Sequence, residues 1–248
     1  MACIEKGIFA FAVTDHCDIQ YYKEQDAYSR IRNSAEEARA TAKELGNKVK
    51  ILTGIELGEG IWHAAHTAAI LSAFDYDVVI GSVHAVRYKT YTDPYSAIDF
   101  SPVSSEDLDA YMATYFDEVL ETVRQIPCDI MAHLTCPLRY INGKYGRGVD
   151  VRRYADKIER ILAYVIEHSI AMEVNTSGIG TSFGSFMPEE WIIRLYREMG
   201  GYLLTLGSDA HVPENAGKGF ADAISLLKKF GYEAYYWYQN RTAIPIDL

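Results

Sequence analysis

Apolar residues recur in short dense runs along the chain, at Ile8–Val13, Val49–Gly54, Asp77–Ser82, Asp129–Ala132, Ile170–Val174 and Tyr202–Leu206. Each run is rich in branched side chains and apolar on both faces, as strands buried in a parallel sheet are. The segments between them carry helical periodicity. Residues 105–125 place Leu108, Tyr111, Met112, Tyr115, Phe116, Val119, Leu120 and Val123 on one stripe, with Ser104 and Asp107 offering a capping box in front. Residues 152–168 line up Ile158, Ile161, Leu162, Val165 and Ile166. Residues 188–199 open on Pro188 and stop at Gly200-Gly201, and a further helix spans about 216–230 and ends at Gly231. Tyr235 to Tyr238 alternate like a last strand packed on the others.

Strand and helix thus alternate six times with no linker, repeat or low-complexity segment. That pattern predicts α/β architecture, either an open doubly wound sheet or a barrel. No Gly-rich phosphate fingerprint follows the first strand, so the barrel is expected, formed by one domain over residues 1–248. In such barrels the chemistry lies at the carboxyl ends of the strands.

The residues at those ends change the picture from fold to function. In chain order they are Thr14-Asp15-His16, Gly54-Ile55-Glu56, Gly81-Ser82-Val83-His84, Ala132-His133, Glu173-Val174-Asn175-Thr176-Ser177-Gly178 and Gly207-Ser208-Asp209-Ala210-His211. Four of the seven histidines therefore join Glu56 and Asp209 in one layer. Imidazoles and carboxylates converge at a barrel mouth when pairing or metal ions offset their desolvation. Neutral imidazole with carboxylate suits Zn, Mn or Fe, and a cluster of this size suggests more than one ion. The remaining histidines read as structural. His63 and His66 share a helix face without an accompanying carboxylate pattern, and His168 falls at a helix end.

Bulk properties narrow the partners. The chain has 248 residues, is 49% apolar and carries a net charge of −10 without a basic run. Nucleic acid and anionic membrane are therefore not expected as partners. Cys3, Cys17, Cys128 and Cys136 show no framework spacing, and there is no signal-peptide pattern or long apolar run, so the cytoplasm is expected.

The ordered set TDH, GIE, GSVH, AH, EVNTSG and GSDAH resembles the PHP (polymerase and histidinol phosphatase) superfamily, most closely its histidinol-phosphatase branch. The resemblance runs from about residue 4 to the end and rests on six motifs in the right order. It implies a distorted TIM-like (β/α)7 barrel that holds up to three divalent metal ions (Zn, Mn or Fe). It also implies hydrolysis of a small phosphate monoester, L-histidinol phosphate in histidine biosynthesis, with homo-oligomerisation left open. By motif, Glu56 resembles the bridging carboxylate, and His84 and His133 its partners on one metal. Asp209 resembles a ligand of a second metal, and His16 and His211 of a third, with Asp15 beside His16 as an orienting group. The catalytic roles fall to Glu56, Asp209 and His211, the last protonating the leaving alkoxide unless water does so.

The family pattern begins with a strand ending in H-x-H, and no H-x-H occurs in this sequence. The first unit therefore resembles the family's second, Met1–Gly7 reads as the tail of a helix, and one strand with its loop is expected to be missing. The missing strand is expected to open the barrel and leave free edges. A start placed too late, a true truncation with weak or no activity, and a gap filled by a neighbouring chain or a terminal segment are the three explanations; the first is favoured. Only the Glu56, His84 and His133 site is then expected to keep its whole ligand set. For the phosphate, Arg139 in the loop after His133 is the preferred cation, with Lys144, Arg147 and Asn175 as further contacts. Relatives often carry Arg just after N-T-S-G, where this chain has Ile179 and Gly180. The Gly- and Ser-rich loop 178–187 is a candidate lid.

Overall fold

The computed structural model describes residues 1–248. Its longest strand is β3 (Lys50–Gly58), buried along most of its length. On one side lie β1 (Ala10–Val13) and β2 (His16–Asp18), which pair with β3 in one continuous parallel register, Ala10 beside Lys50 and His16 beside Glu56. They are one strand interrupted at Thr14-Asp15. On the other side follow β4 (Val78–Ser82), β5 (Ile130–Met131), β6 (Ala171–Asn175) and β7 (Leu204–Gly207), all parallel.

The expected six strands are all present, and the sheet is open as expected. The sheet curls as a barrel does, but β7 does not pair with β1, so it is an open half-barrel with two free edges. A cavity of about 610 Å³ opens between them, lined by Ala12, Val13, Leu52, Ile130 and Leu206 among others. The alternating Tyr235–Tyr238 stretch is the expected last strand packed on the others. It forms β8 (Ala234–Gln239), which turns back as β9 (Thr242–Asp247) in an antiparallel hairpin. Tyr238 packs against Val78, Ile130, Ala171 and Leu203, the first residues or flanks of four strands. Its hydroxyl donates to the Asp129 carbonyl at 3.2 Å, and Arg241 pairs with the Asp129 carboxylate. The hairpin therefore covers the amino ends of the strands and leaves the carboxyl ends free for the site.

Helices cover the outer face. A short helix, α1 (Ala2–Glu5), precedes β1, where the sequence reads as a helix tail. The periodicity of 105–125 gives α4 (Ser105–Gln125), and Ser104 caps it by accepting from Asp107 N at 3.0 Å. Tyr111, Tyr115 and Phe116 on its buried face are among the largest fully buried side chains. The next three predicted helices are α5 (Ala155–Glu167), α6 (Glu190–Glu198) and α7 (Phe220–Lys229), each shorter than its pattern by a few residues. Two earlier helices escape sequence reading, α2 (Ala27–Leu45) and α3 (Ala64–Leu71). The buried face of α2 is Ala27, Ile31, Ala35 and Ala38, a stripe of mostly one-carbon side chains.

Two substitutions test this packing by thermal or urea unfolding. Ser104→Ala removes the α4 cap and is expected to cost about 1 kcal/mol. Ile161→Ala, at a position with no solvent exposure, is expected to cost about 2–5 kcal/mol. Equal costs for the two would contradict the assignment of α5 to the core.

Candidate metal centre

Parallel pairing sets the depth of each ligand. Register places His16 beside Glu56 and Glu56 beside Ile80, four residues before His84, so the side chains meet above the ends of β2, β3 and β4. His133 follows β5 directly. Glu56 Oε1 lies 3.0 Å from both His84 Nε2 and His133 Nε2, and those two nitrogens are 3.4 Å apart. All three side chains are buried. Burial opposes the charge on Glu56, but hydrogen bonds from His133 and His84 hold its carboxyl well below the usual range. Burial likewise opposes charge on the two imidazoles, yet His84 is raised well above its ordinary value by Asp18 and Glu56, and His133 is raised by Glu56.

A second cluster lies nearer solvent. His16 Nε2 and His211 Nε2 are 3.4 Å apart, and His211 Nδ1 is 3.5 Å from Asp209 Oδ1. His16 Nδ1 lies 3.6 Å from the other Glu56 oxygen, so Glu56 joins the two clusters. Exposure rises along the chain of groups, from 5% for the His133 side chain to 67% for that of His211. Asp209 adopts a left-handed backbone (φ 49°), a conformation that short polar residues tolerate and that clusters at functional sites.

Two buried carboxyls brace the ligand backbone. Glu173 accepts from His133 N at 2.7 Å, and Glu59 accepts from His84 N at 2.6 Å and Ala85 N at 2.9 Å. Burial pushes both up to about 7, against the pull of those amides and of the nearby imidazoles. Gly207 is required beside Glu173, because a Cβ there would lie 1.7 Å from Glu173 Oε1.

The cations divide. Arg139 reaches the cluster: its Nη1 donates to Ser177 Oγ at 3.0 Å and lies 3.9 Å from Asp209 Oδ2. Ser177, not singled out from sequence, also contacts Asp209 Oδ2 at 3.2 Å and Asn175 Oδ1 at 2.8 Å. Its place in N-T-S-G beside Asn175 was the available signal. Asn175 is buried, and its Oδ1 is occupied by Ser177 N and Oγ. The structure does not bring Arg147 to the cluster. Its guanidinium donates to the carbonyls of Phe100, Ser101 and Val103, tying down the approach to α4. Lys144 is exposed and lies over the Tyr145 ring at 4.9 Å. Asp15 is exposed too, and only its carbonyl is engaged, by Glu56 N at 3.1 Å. The carboxylate that touches a cluster imidazole from β2 is Asp18, at 2.9 Å from His84 Nδ1.

His63, His66 and His168 stand apart. His63 Nδ1 caps α3 by accepting from His66 N at 3.3 Å, and the two rings stack at 3.6 Å. His168 ends α5 and stacks on Tyr164. The candidate lid is tied at its far end, where Asn175 and Met187 exchange two backbone hydrogen bonds of 3.0 Å.

The donor set fits divalent cations. Imidazole nitrogens and carboxylate oxygens converge in three groups, His16 with Asp18 and His84, His16 with Asp209 and His211, and Glu56 with His84 and His133. Pairs of ring nitrogens at 3.4 Å, each beside a carboxylate oxygen, are what an ion between them would require.

Comparison with known proteins agrees with this geometry. The "Probable histidinol-phosphatase" of Thermotoga maritima is 28% identical over 242 residues, covering 98% of this chain and 88% of that relative. A "Probable phosphatase" of Shewanella loihica is 28% identical over 217 residues, covering 83% of this chain and 81% of that protein. The crystal structure of histidinol phosphate phosphatase from Lactococcus lactis, complexed with Zn, L-histidinol and phosphate, superposes with a TM-score of 0.76. It is 19% identical, and the match covers 98% of this chain and 90% of that one. The PHP domain family model matches residues 1–177, which takes in the strands from β1 to β6 and the ends that carry His16, Glu56, His84 and His133. The chain belongs to the PHP domain family.

Proposed function

We propose that this protein is a metal-dependent phosphatase that hydrolyses L-histidinol phosphate to histidinol and phosphate. The observation that carries the reading is the bridged cluster. Glu56 joins a buried imidazole pair to a solvent-facing one at the open end of the sheet. A relative of the same fold holds zinc, histidinol and phosphate together. Zinc, manganese or iron would be held by Glu56 with His84 and His133, and by Asp209 and His211 with His16. Ions bound there supply positive charge to phosphate oxygens and lower the pKa of water.

The chain's own residues divide the remaining work. Glu56, His84 and His133 are fixed by burial and by the amides of His84 and His133 held on Glu59 and Glu173, so their donor atoms need no rearrangement. Arg139 is the cation poised for the phosphate oxygens, oriented by Ser177 and Asp209. His211, the most exposed of the cluster, is placed to give a proton to the departing alkoxide. Asn175 acts through Ser177 rather than on the phosphate itself. Lys144 and Arg147 point to other work, one on an aromatic ring and one on backbone carbonyls. The whole of residues 1–248 forms one domain that acts in the cytoplasm on a small molecule, consistent with four free cysteines and no helix long and apolar enough to cross a membrane. The net charge of −10 disfavours nucleic acid as substrate.

A second reading keeps the chemistry and changes the ester. The relative from Shewanella loihica is named only as a phosphatase, and Ile179 and Gly180 stand after N-T-S-G in place of an arginine. A panel of phosphate monoesters separates the two, because preference for another ester at equal metal loading selects the second.

Phosphate release from histidinol phosphate, measured with zinc, manganese or iron, is expected to stop on chelation. Glu56→Gln is expected to lower the rate by at least about a hundredfold. Release that persists after complete metal removal would end the metal reading. Zinc affinity is also expected to rise from about pH 6 to about pH 8. The sign follows from the raised values of His84 and His133: below them the rings hold protons that zinc must displace, and above them the lone pairs are free. A flat profile in competitive zinc titrations would exclude these two rings as ligands.

A further inference from the structure

Asp18 lies on β2 two residues after His16, hence on the same face of the strand. Parallel register sets Asp18 beside Gly58 on β3, and Gly58 beside Ser82 on β4. Asp18 therefore looks toward His84, just beyond β4, across a position with no side chain. The lane exists only because that position is glycine. A Cβ on Gly58 would lie 2.2 Å from Asp18 Oδ1 and 3.0 Å from His84 Nδ1. Through it, Asp18 Oδ1 reaches His84 Nδ1 at 2.9 Å. The opposite ring nitrogen, Nε2, faces Glu56 Oε1 at 3.0 Å and His133 Nε2 at 3.4 Å. The backbone of the same residue is held independently, by Glu59 on His84 N.

We propose that Asp18 is a positioning residue of the metal centre. It accepts the Nδ1 proton of His84, fixes the ring's orientation and tautomer, and so presents the Nε2 lone pair to the cation shared with Glu56 and His133. The proposal rests on reading this cluster as a metal centre. Its physical basis is that a ring nitrogen can give its lone pair to a cation only if the ring's proton is on the other nitrogen. A carboxylate at that other nitrogen fixes the choice and makes the ring a stronger donor. Asp15, next to His16 in sequence, makes no such contact, because its side chain lies exposed on the loop that interrupts the strand. The same carboxylate also lies near His16, so direct ligation by Asp18 is the competing arrangement that a test must separate.

The experiment compares the full-length wild type with Asp18→Ala and Asp18→Asn. Zinc binding is measured by competition with a chromophoric chelator, and the His84 ring protons are followed by ¹H–¹⁵N NMR of the zinc-loaded proteins. The expected result is an unchanged number of bound zinc ions and an affinity at one site weakened about 10–100-fold in Asp18→Ala. Asp18→Asn keeps an acceptor at the same place and should fall between. The wild type should show a downfield Nδ1–H resonance that moves upfield or exchanges away in Asp18→Ala, a change that loss of packing alone would not produce. Should Asp18→Ala fail to fold, Asp18→Asn and Gly58→Ala carry the test, the second by driving a methyl group into the lane. Unchanged affinity with an unchanged resonance overturns the proposal. Loss of a whole bound zinc also overturns it, because Asp18 would then be a ligand. A wild type that binds no zinc would overturn the metal reading itself, and this proposal with it.

Discussion

Glu56 holds one carboxylate oxygen 3.0 Å from two imidazole nitrogens, and all three side chains are buried. Taking three such groups out of water is costly unless each finds a partner of complementary charge. That requirement organises what surrounds them. Glu56 must sit on β3, between the ends of β2 and β4, to reach His84, His133 and His16 together. The amides of His84 and His133 must be held, and Glu59 and Glu173 hold them. Side chains must be absent where Asp18 and Glu173 cross between strands, and Gly58 and Gly207 respectively supply the clearance.

The half-barrel gives this cluster a closed side and an open side. The β8–β9 hairpin packs across the amino ends of the strands through Tyr238 and Arg241. At the carboxyl ends the groups grade from buried His133 to exposed His211. The cavity between β1 and β7 opens beside the exposed half and includes His16, Asp209 and His211 in its wall. A rigid, desolvated pair thus stands behind a solvent-facing pair, with Glu56 between them. Within the proposed function the first half anchors charge and the second meets the substrate.

Some of this was legible in the chain because it depends on local pattern. Apolar runs mark β1 and β3 to β7 because parallel strands are apolar on both faces, and each ligand follows its run within a few residues. Ser104 and the stripe behind it mark α4 because a cap and a 3.6-residue period are local properties. Helix α2 was not singled out, since its buried face carries one large apolar side chain, Ile31, among alanines. The partners of Arg139 and Arg147 were not legible either. Arg139 opens a π-helical segment (Arg139–Lys144) and Arg147 follows just beyond it, yet one guanidinium turns to Ser177 and Asp209 and the other to three carbonyls ahead of α4.

The sequence by itself determined the order of strands and helices, the layer of ionisable residues at the strand ends, and so the class of chemistry. Those follow from periodicity and from the type of residue at each strand end. Only the tertiary structure decided that the last aromatic strand turns back as a hairpin plug and that Asp18 rather than Asp15 meets His84. The second depends on register and on the missing side chain at Gly58. Residues far apart in the chain meet there, and no local pattern records the distance between them.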